Sequence, residues 1–491
     1  MLYLIPCVTI LLLCYPIYYC LSTRHDIPGP ILAKISPLYR IYMFLSGQGP
    51  LKYFHLHKKY GPVVRTGPNH ISLSDSSLIP IIHDSKQKYL KSASYDVFSP
   101  LYRGKPIDTV FSTRDAGRNR RLKATLMENL TGSPVLYKSR IQNSVDVFIE
   151  QMRGIQGAPI NMFDWSFYWS FDLAFALIFG CQLGYMEKGS DFNKWIGTFK
   201  SITNGAAILG HVPSWCPWTV GNDSFMSLMR RILPFPDPTH EFLQEIDTRI
   251  RDHDMQRQHR CGDSILCKIL EGRSSQENTE EQHTQLISTI FECFFATAAD
   301  IGVSINAVLY SLLTNQNAYH RLVRELRTPK QPSNPTPTEN NPFFTAIIKE
   351  SLRLHTPLSV PMERVVPEPG LQANGYKISP GMIVSISQYS VHRDREVFGL
   401  DAELFRAERW LEADPIALRR LNRNFIAFGH GSRICAGREL GMHGIKMFVA
   451  SLLERFDVEL AVAPAERPPN ITMFWLQDHV GFWAKVKECD V

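Results

Sequence analysis

The sequence predicts a mainly α-helical protein with small β-sheets, and three features of the chain support that prediction. Apolar residues recur every three or four positions over long stretches, above all from Gln285 to Asn315. Short alternating segments, such as 61–67 and 71–73, are bounded by turn residues and are typical of short strands. Length alone would suggest roughly three domains, but no long linker divides the chain. We therefore expect residues 24–491 to form a single domain.

An uncharged apolar segment runs from Leu2 to Ser22. It is about long enough to span a bilayer as a helix, and basic residues follow it but do not precede it. By the positive-inside tendency, its N-terminus would face the lumen and the rest of the chain the cytosol. A cleaved signal peptide is the alternative, but the segment lacks a basic n-region and a clear small-residue cleavage site. Residues 1–23 are therefore predicted to be a transmembrane anchor.

The overall composition excludes some classes of partner. The chain has 53 basic and 47 acidic residues, a net charge of +6, and no block that mixes basic and aromatic residues. Nucleic acid is therefore not an expected partner, whereas an anionic membrane face or an acidic protein fits the mild excess. The ten cysteines are irregularly spaced without a CxxC pair, so they indicate neither a zinc site nor a disulfide framework.

Patterns along the chain predict the following elements in order. They are a helix over Tyr53–Tyr60, strands within 61–73, a loop over Tyr95–Thr113, a basic helix from Arg114, apolar helices within 136–185, the long helix Gln285–Asn315, a loop over Arg327–Asn341, a helix over Phe344–His355, strands within Gly375–Ser387 that turn at Pro380–Gly381, a helix from Arg438, and a hairpin tip at Thr472–Leu476.

One glycine-rich loop, Phe428–Gly437, holds a single cysteine, Cys435, just before a predicted helix. The helix N-terminus and its N–H groups would favour a thiolate, which is a soft metal ligand. Gly431 allows a sharp turn and Gly437 allows a flat group to approach the backbone, while Arg433 offers a planar fork to a carboxylate. These features together indicate thiolate-bound haem. The alternative is a buried structural cysteine in a glycine-rich loop.

The pattern Phe-x-x-Gly-x-Arg-x-Cys-x-Gly in this loop resembles the haem-ligand loop of the cytochrome P450 family at every defining position. The resemblance implies a haem-thiolate fold in which Cys435 binds the iron of haem b (iron protoporphyrin IX). It also implies that Phe428, Gly431, Arg433 and Gly437 contact this cofactor.

Two further arginines match family positions that contact haem propionates. Arg120 lies at one of them, although Ala116 stands four residues earlier, where the family usually has Trp or His. Arg364 lies at the other, and Leu358, just before it, is expected to face the substrate. The other basic residues of the Arg114–Lys123 segment would form a docking surface for an acidic flavoprotein reductase, or would simply be a solvated helix face.

A Glu-x-x-Arg pair, Glu350 and Arg353, lies on one face of a predicted helix. It matches a family motif whose third member here is Arg409, in a segment where Ala407 replaces the usual proline. An isolated pair of this kind contributes little at a surface. The resemblance implies instead a structural role beneath the haem loop.

The long helix contains Thr297-Ala298-Ala299-Asp300-Ile301, where the family usually has a small residue, Gly, any residue, an acid and Thr. Asp300 is retained, but Ile301 cannot donate a hydrogen bond at the alcohol position. We therefore name Asp300 and Thr297 as the catalytic candidates for proton delivery. Ser304 or a hydroxyl of the substrate is an alternative for the relay, and Thr297 could instead bond its own helix backbone.

The resemblance implies a monooxygenase that activates O2 with electrons from NADPH, delivered by a membrane-bound NADPH-cytochrome P450 reductase. The expected substrate is a lipophilic small molecule, and similarity to fungal members suggests a terpenoid, alkaloid or polyketide. The expected location is the endoplasmic reticulum membrane, single-pass, with the catalytic domain in the cytosol. The alternatives are a haem-thiolate enzyme that rearranges or couples substrates without net oxygen insertion, and a non-catalytic haem binder.

Overall fold

The structure, a computed structural model, is mainly helical with small sheets, as the sequence predicts. It describes residues 27–84, 86, 88–131, 134–232, 237–256, 264–271, 279–328, 341–462 and 470–489. The predicted anchor, residues 1–23, lies outside the described residues.

The helices of the described chain account for every helix that the apolar periodicity predicts there. They span Ile31–Ile35, Leu38–Phe44, Gly49–Tyr60, Ile79–Ile82, Ala116–Thr131, Pro134–Ile155, Met162–Phe179, Tyr185–Lys188, Trp195–Leu209, Asp223–Ile232, Pro238–Gln256, Ile265–Glu271, Glu280–Phe295, Ile301–Thr314, Gln316–Arg327, Pro342–Leu354, Gln388–Val391, Arg395–Phe398, Arg409–Glu412, Pro415–Asn424 and Arg438–Arg455.

The strands are short and form small sheets. They are β1 (Val63–Gly67), β2 (His70–Leu73), β3 (Leu101–Tyr102), β4 (Lys105–Pro106), β5 (Pro159–Asn161), β6 (Met362–Val365), β7 (Leu371–Ala373), β8 (Tyr376–Ile378), β9 (Ile383–Ile386), β10 (Phe456–Leu460), β11 (Asn470–Met473), β12 (Gln477–Val480) and β13 (Trp483–Glu488). One sheet has the order β1-β2-β9-β6 and another β10-β13-β5, while β3-β4, β7-β8 and β11-β12 are two-stranded.

The two strands and the turn predicted around Pro380–Gly381 are present, and the structure adds the partner of each strand. These residues separate β8 from β9, but the two strands do not pair with each other. β8 pairs with β7, while β9 lies between β2 and β6 in a different sheet. Alternation and a Pro-Gly turn indicate two strands and a change of direction, but they do not specify the partner of each strand.

The central helix, Glu280–Thr314, crosses the middle of the molecule and packs against Met162–Phe179 and Arg438–Arg455. It begins at a capping box in which the Thr279 side chain and Gln282 satisfy each other's backbone N–H groups. This helix is long and apolar enough to cross a membrane, but 72% of its most apolar window is buried inside the protein. Its hydropathy is therefore that of a core helix.

A π-helical turn interrupts the central helix at Ala296–Asp300. Ser170 of the neighbouring helix donates a hydrogen bond of 2.6 Å to the carbonyl of Ala298 within this turn. Ser304 donates one of 2.6 Å to the carbonyl of Asp300. Turns of this kind occur mostly at functional sites, and this one lies directly beside the cavity described below.

Most cysteines of the described chain are free, and one takes part in a disulfide bond that the sequence did not indicate. Cys181, Cys216, Cys293, Cys435 and Cys489 are free, while Cys267 is disulfide-bonded.

Candidate active site

The loop around Cys435 is a tight structure that two glycines make possible. Gly429 and Gly431 have φ angles of +78° and +67°, in the left-handed region that other residues avoid. A Cβ atom on Gly431 would lie 1.8 Å from the carbonyl oxygen of His83, so no larger residue fits there. The loop closes when the Cys435 N–H donates a 2.8 Å hydrogen bond to the carbonyl of Phe428.

Cys435 lies just before the helix Arg438–Arg455, as the sequence predicts, and its side chain is exposed to open space beside the loop. That the sulfur at this position is a thiolate remains a prediction. Surrounding protein atoms desolvate the sulfur, and with the nearby Asp300 carboxylate they raise the pKa of the Cys435 thiol to about 11, against the opposing hydrogen bond from the Gly437 N–H. A bound metal ion would stabilise the thiolate against this desolvation.

A cationic cluster, Lys91, Arg364 and Arg433, lies next to the cysteine loop. Lys91 and Arg364 are 5% and 4% exposed, and their backbones form an isolated β-bridge. Burial and the charges of the two arginines lower the pKa of Lys91 well below its ordinary value. Burial and Arg364 likewise lower the pKa of Arg433 to about 10. Three converging cations are costly to bury without anions between them.

The hydrogen bonds of this cluster leave its positive charge largely uncompensated. Lys91 donates to the carbonyl of Phe111, and Arg364 donates to the Tyr95 hydroxyl at 3.1 Å. Arg433 donates to the carbonyl of Thr113 at 3.1 Å. These acceptors are neutral. The carboxylate of Glu292 raises the pKa of Lys91 electrostatically, but its effect is smaller than that of burial and the two arginines. The cluster therefore fits a ligand that brings more than one negative charge.

Together these observations fit haem. Cys435 offers one sulfur ligand, and a Cβ on Gly437 would meet no atom within 4 Å, which leaves room for a flat group against the backbone. The cationic cluster matches two propionates. The sequence identified Arg364 and Arg433 for this role but missed Lys91, because Lys91 belongs to no motif and only the fold brings it next to them.

Arg120 is exposed on the helix Ala116–Thr131. It shares a helix face with Lys123, three residues later, and Lys123 binds the carbonyls of Ser432 and Ile434 in the cysteine loop. The helix therefore brings Arg120 to the neighbourhood of the cysteine loop. Its contact with a haem propionate remains a prediction.

A large cavity of about 1220 Å³, which includes its open mouth, lies on the central-helix side of the site. Its walls are mostly apolar and aromatic, and its polar groups include Thr109, Thr203, Glu292 and Asp300. The predicted loop Tyr95–Thr113 contributes residues 97–101, Thr109 and Phe111 to the wall of the cavity. Leu358 also lines the cavity, and so does Trp475, which lies at the tip of the β11–β12 hairpin. Leu358 and the hairpin tip therefore both reach the cavity, as the sequence predicts.

The π-helical turn decides which residues of the central helix reach this cavity. Ala296, Ala299 and Asp300 line it, whereas Ile301 is 6% exposed and belongs to the apolar core. The Ile301 Cδ1 atom lies 3.8 Å from the position that a Cβ on Gly444 would occupy. The residue at the usual alcohol position is thus turned into the core, and the carboxyl group before it faces the cavity.

Asp300 can change its protonation state near neutral pH. Burial and the neighbouring Glu292 carboxylate raise the pKa of Asp300 to about 7. Thr297 is half-buried but is not among the residues that line the cavity, so its role in the relay stays a prediction. Ser304 uses its hydroxyl to bond the Asp300 carbonyl.

The structural motif forms a fully buried ionic network. Arg353 donates to both carboxylate oxygens of Glu350, at 2.7 and 2.9 Å, and Arg409 donates to Oε1 at 2.8 Å. The Trp410 indole and the Arg406 backbone N–H also donate to this carboxylate. Burial would raise the pKa of Glu350, but Arg353 and Arg409 hold it below its ordinary value. The predicted three-residue network is therefore present.

Comparison with known proteins agrees with this site. The sequence pattern of the cytochrome P450 family matches residues 33–481. Cytochrome P450 monooxygenase cicH of Emericella nidulans is 29% identical over 481 residues, covering 94% of this chain and 93% of the relative. Cytochrome P450 monooxygenase mfmA of Annulohypoxylon moriforme is 28% identical over 487 residues, covering 95% and 92%. Cytochrome P450 monooxygenase mpaDE of Penicillium roqueforti is 28% identical over 491 residues, but this chain spans only 56% of its length. The chain therefore belongs to the cytochrome P450 family and is an enzyme of the haem-thiolate monooxygenase type.

Proposed function

We propose that this cytochrome P450 binds haem b through Cys435 and inserts one oxygen atom from O2 into a lipophilic specialised metabolite. The observation that carries the proposal is one site with three parts. A cysteine sulfur faces open space, a cationic cluster lies beside it, and a large apolar cavity lies on the side of Asp300. Bound haem would supply the reductive activation of O2 that the protein's own side chains cannot perform.

The cofactor would be held by residues from separate parts of the chain. Cys435 would bind the iron, and Phe428, Gly431 and Gly437 would shape the loop around it. Arg364, Arg433 and Lys91 would bind the propionates, with Arg120 as a further candidate. The cationic cluster supports this assignment because it would gain the anionic partners that the described residues do not provide.

Asp300 would hold and release the proton that oxygen activation requires. Its pKa of about 7 means that both protonation states are populated at neutral pH, which suits a general acid. The π-helical turn directs this carboxyl group into the cavity, so the missing alcohol at Ile301 does not leave the cavity without a proton donor. Thr297 remains the second candidate for the relay.

The electrons would come from NADPH through a membrane-bound NADPH-cytochrome P450 reductase. The basic segment Arg114–Lys123 supports this partner, but fewer of its residues are available than the sequence suggested. Arg114 pairs with Asp96 at 3.1 Å and Arg118 with Asp108 at 3.4 Å. Arg121 is exposed, so we expect it to contribute most to docking an acidic surface.

Exposed apolar side chains, which we propose form one membrane-contacting face, support the proposed location on the endoplasmic reticulum membrane, with the catalytic domain in the cytosol. Ile31 and Leu32, in the first described helix, are 75% and 65% exposed, and Trp218 is 77% exposed. Apolar side chains with this exposure often mark a membrane contact. The proposed anchor, residues 1–23, would hold this end of the chain at the bilayer.

The membrane contact can be tested on the full chain. Replacing Ile31, Leu32 and Trp218 with serine should reduce protection of this face from hydrogen exchange when the protein is in phospholipid vesicles. The exposed Leu400, which is 88% exposed, provides the control as Leu400→Ser. Equal protection in both variants would contradict a membrane contact at this face.

The substrate is proposed to be a terpenoid, an alkaloid or a polyketide. The apolar cavity supports a lipophilic molecule, and the fungal P450 monooxygenases to which the chain is similar support a role in specialised metabolism. A screen of such compounds for a spectral shift of the ferric enzyme would identify candidates.

Isotope labelling tests the reaction itself. The purified enzyme, a reductase and NADPH under ¹⁸O₂ should give product that contains one labelled oxygen atom per oxidation. A product without label would favour the rearrangement or coupling alternative. The reduced enzyme treated with carbon monoxide should show the long-wavelength Soret band of sulfur-ligated iron, and Cys435→Ala should lose it.

A further inference from the structure

Lys123 makes an unusual contact with the loop that carries the predicted iron ligand. Its ammonium group donates hydrogen bonds to the carbonyl of Ser432 at 3.0 Å and to the carbonyl of Ile434 at 2.6 Å. These carbonyls lie on the N-terminal side of Cys435. Lys123 belongs to the helix Ala116–Thr131, so this contact joins two elements that are more than 300 positions apart.

The Ile434 carbonyl belongs to the same peptide unit as the Cys435 N–H. That N–H donates a 2.8 Å hydrogen bond to the Phe428 carbonyl. A cation on the oxygen of a peptide unit polarises it and strengthens the hydrogen bond that its N–H donates. Lys123 therefore acts on the hydrogen bond that closes the loop as well as on the carbonyl that it touches.

The charge of Lys123 is directed at the loop. Among the described residues no carboxylate lies within ion-pair distance of Lys123, and its ammonium is held by the carbonyls of Ser432 and Ile434. The side chain is half-buried. A residue of this basic helix that served only to dock a reductase would keep its ammonium in solvent. Lys123 instead turns it inward onto two carbonyl groups.

We propose that Lys123 is a positioning residue for the cysteine ligand. Lys123 holds the loop in its binding conformation and places a positive charge near the sulfur. A nearby cation favours reduced over oxidised iron, because reduction adds a negative charge to the same site. The inference rests on the proposed binding of haem through Cys435.

The test compares Lys123→Met, Lys123→Arg and Arg121→Met with the unaltered full-length holoenzyme. Lys123→Met should shift the reduction potential of the haem iron to a more negative value. In the reduced enzyme treated with carbon monoxide, it should also raise the ratio of the thiol-type to the thiolate-type Soret band about tenfold, since hydrogen bonds from charged donors are among the stronger ones. Lys123→Arg keeps the charge and the donor groups and should restore both properties. Arg121→Met removes the same charge from the exposed part of this helix. It should raise the KM for the reductase while leaving the potential and the spectrum unchanged.

Two results would overturn the proposal. In the first, Lys123→Met has the reduction potential and the spectrum of the unaltered enzyme, and only its KM for the reductase is raised. That result would mean that Lys123 serves to dock the reductase. The other is a Lys123→Arg variant as altered as Lys123→Met. If Lys123→Met does not retain haem, Lys123→Gln replaces it in the test, because glutamine keeps a hydrogen-bond donor but carries no charge. The proposal then requires that Lys123→Gln lowers the reduction potential. An unaltered enzyme without a thiolate-type spectrum would instead contradict the proposed function.

Discussion

At the scale of single residues, proton supply inside an apolar cavity depends on the protonation state of Asp300. The pKa of about 7 arises from burial and from the Glu292 carboxylate. Below this pH the carboxyl group is mostly protonated and can donate, and above it the group is mostly ionised and cannot. The raised pKa therefore predicts that a donor role is present at lower pH and is lost as the pH rises through about 7.

Asp300→Asn should lower product formation by about a hundredfold, because general acid catalysis typically contributes about 10²–10⁴-fold. In the unaltered enzyme the rate should fall with rising pH through the pKa of Asp300, and in the variant this dependence should disappear. Product and NADPH consumption measured across pH in the presence of substrate provide the test. An unchanged pH profile in the variant would assign the titration to another group.

A second single-residue prediction concerns Lys91, whose buried ammonium lies with Arg364 and Arg433. Lys91→Met should weaken haem retention by about tenfold, since a charge-assisted hydrogen bond to an anion would be lost. Transfer of haem to excess apomyoglobin measures the rate of loss. Lys88→Met is the matched control, because Lys88 is exposed on the same segment. Equal rates in the two variants would remove Lys91 from the propionate site.

At the scale of elements, the π-helical turn Ala296–Asp300 sets the direction of every side chain around it. Through this turn Asp300 faces the cavity and Ile301 packs in the core. The Ser170 hydroxyl holds the Ala298 carbonyl in place. An ideal α-helix drawn from the sequence places each residue 100° from the last, so it cannot show which of two neighbours reaches the cavity.

Ile301→Thr tests this orientation. If the side chain faces the core, the family's usual threonine should not improve the coupling of NADPH consumption to product. It should instead lower the free energy of unfolding by about 1–3 kcal/mol, because a buried hydroxyl replaces apolar contacts. Thermal unfolding and product yield per NADPH measure the two effects. A higher yield with unchanged stability would show that position 301 faces the cavity.

At the scale of the whole molecule, the buried network around Glu350 connects parts of the chain that surround the site. Arg353 extends from Glu350 to the carbonyls of His392, Ala402 and Leu404, and Arg409 reaches the carbonyl of Phe398. The Glu350 carboxylate compensates both guanidinium groups. Its removal would leave buried charge unpaired, which is the costly part of such a network.

Glu350→Gln should lower the free energy of unfolding by about 3–5 kcal/mol, since breaking a buried ion pair leaves its partner uncompensated. Chemical denaturation of the variant measures the change. Glu403→Gln is the control, because the Glu403 side chain is 39% exposed and pairs at the surface with Lys58. A surface pair of this kind contributes only about 0–1 kcal/mol. Similar losses in both variants would contradict a structural role for Glu350.

The sequence by itself determined the fold class, the position of the cysteine loop before its helix, and the network of Glu350, Arg353 and Arg409. The fold class depends on periodicity, which is a local property, whereas the cysteine loop and the network were identified by their resemblance to family motifs. Periodicity located the predicted helices within the described residues but placed their ends a few residues from the observed ones.

Only the tertiary structure decided which distant groups meet and how they are charged. It brought Lys91 to Arg364 and Arg433, turned Lys123 onto the cysteine loop, and placed Asp300 in the cavity in place of residue 301. It also surrounded the Cys435 sulfur with groups that raise the pKa of its thiol. Burial and long-range electrostatics produce these effects, and both depend on neighbours that come from elsewhere in the chain.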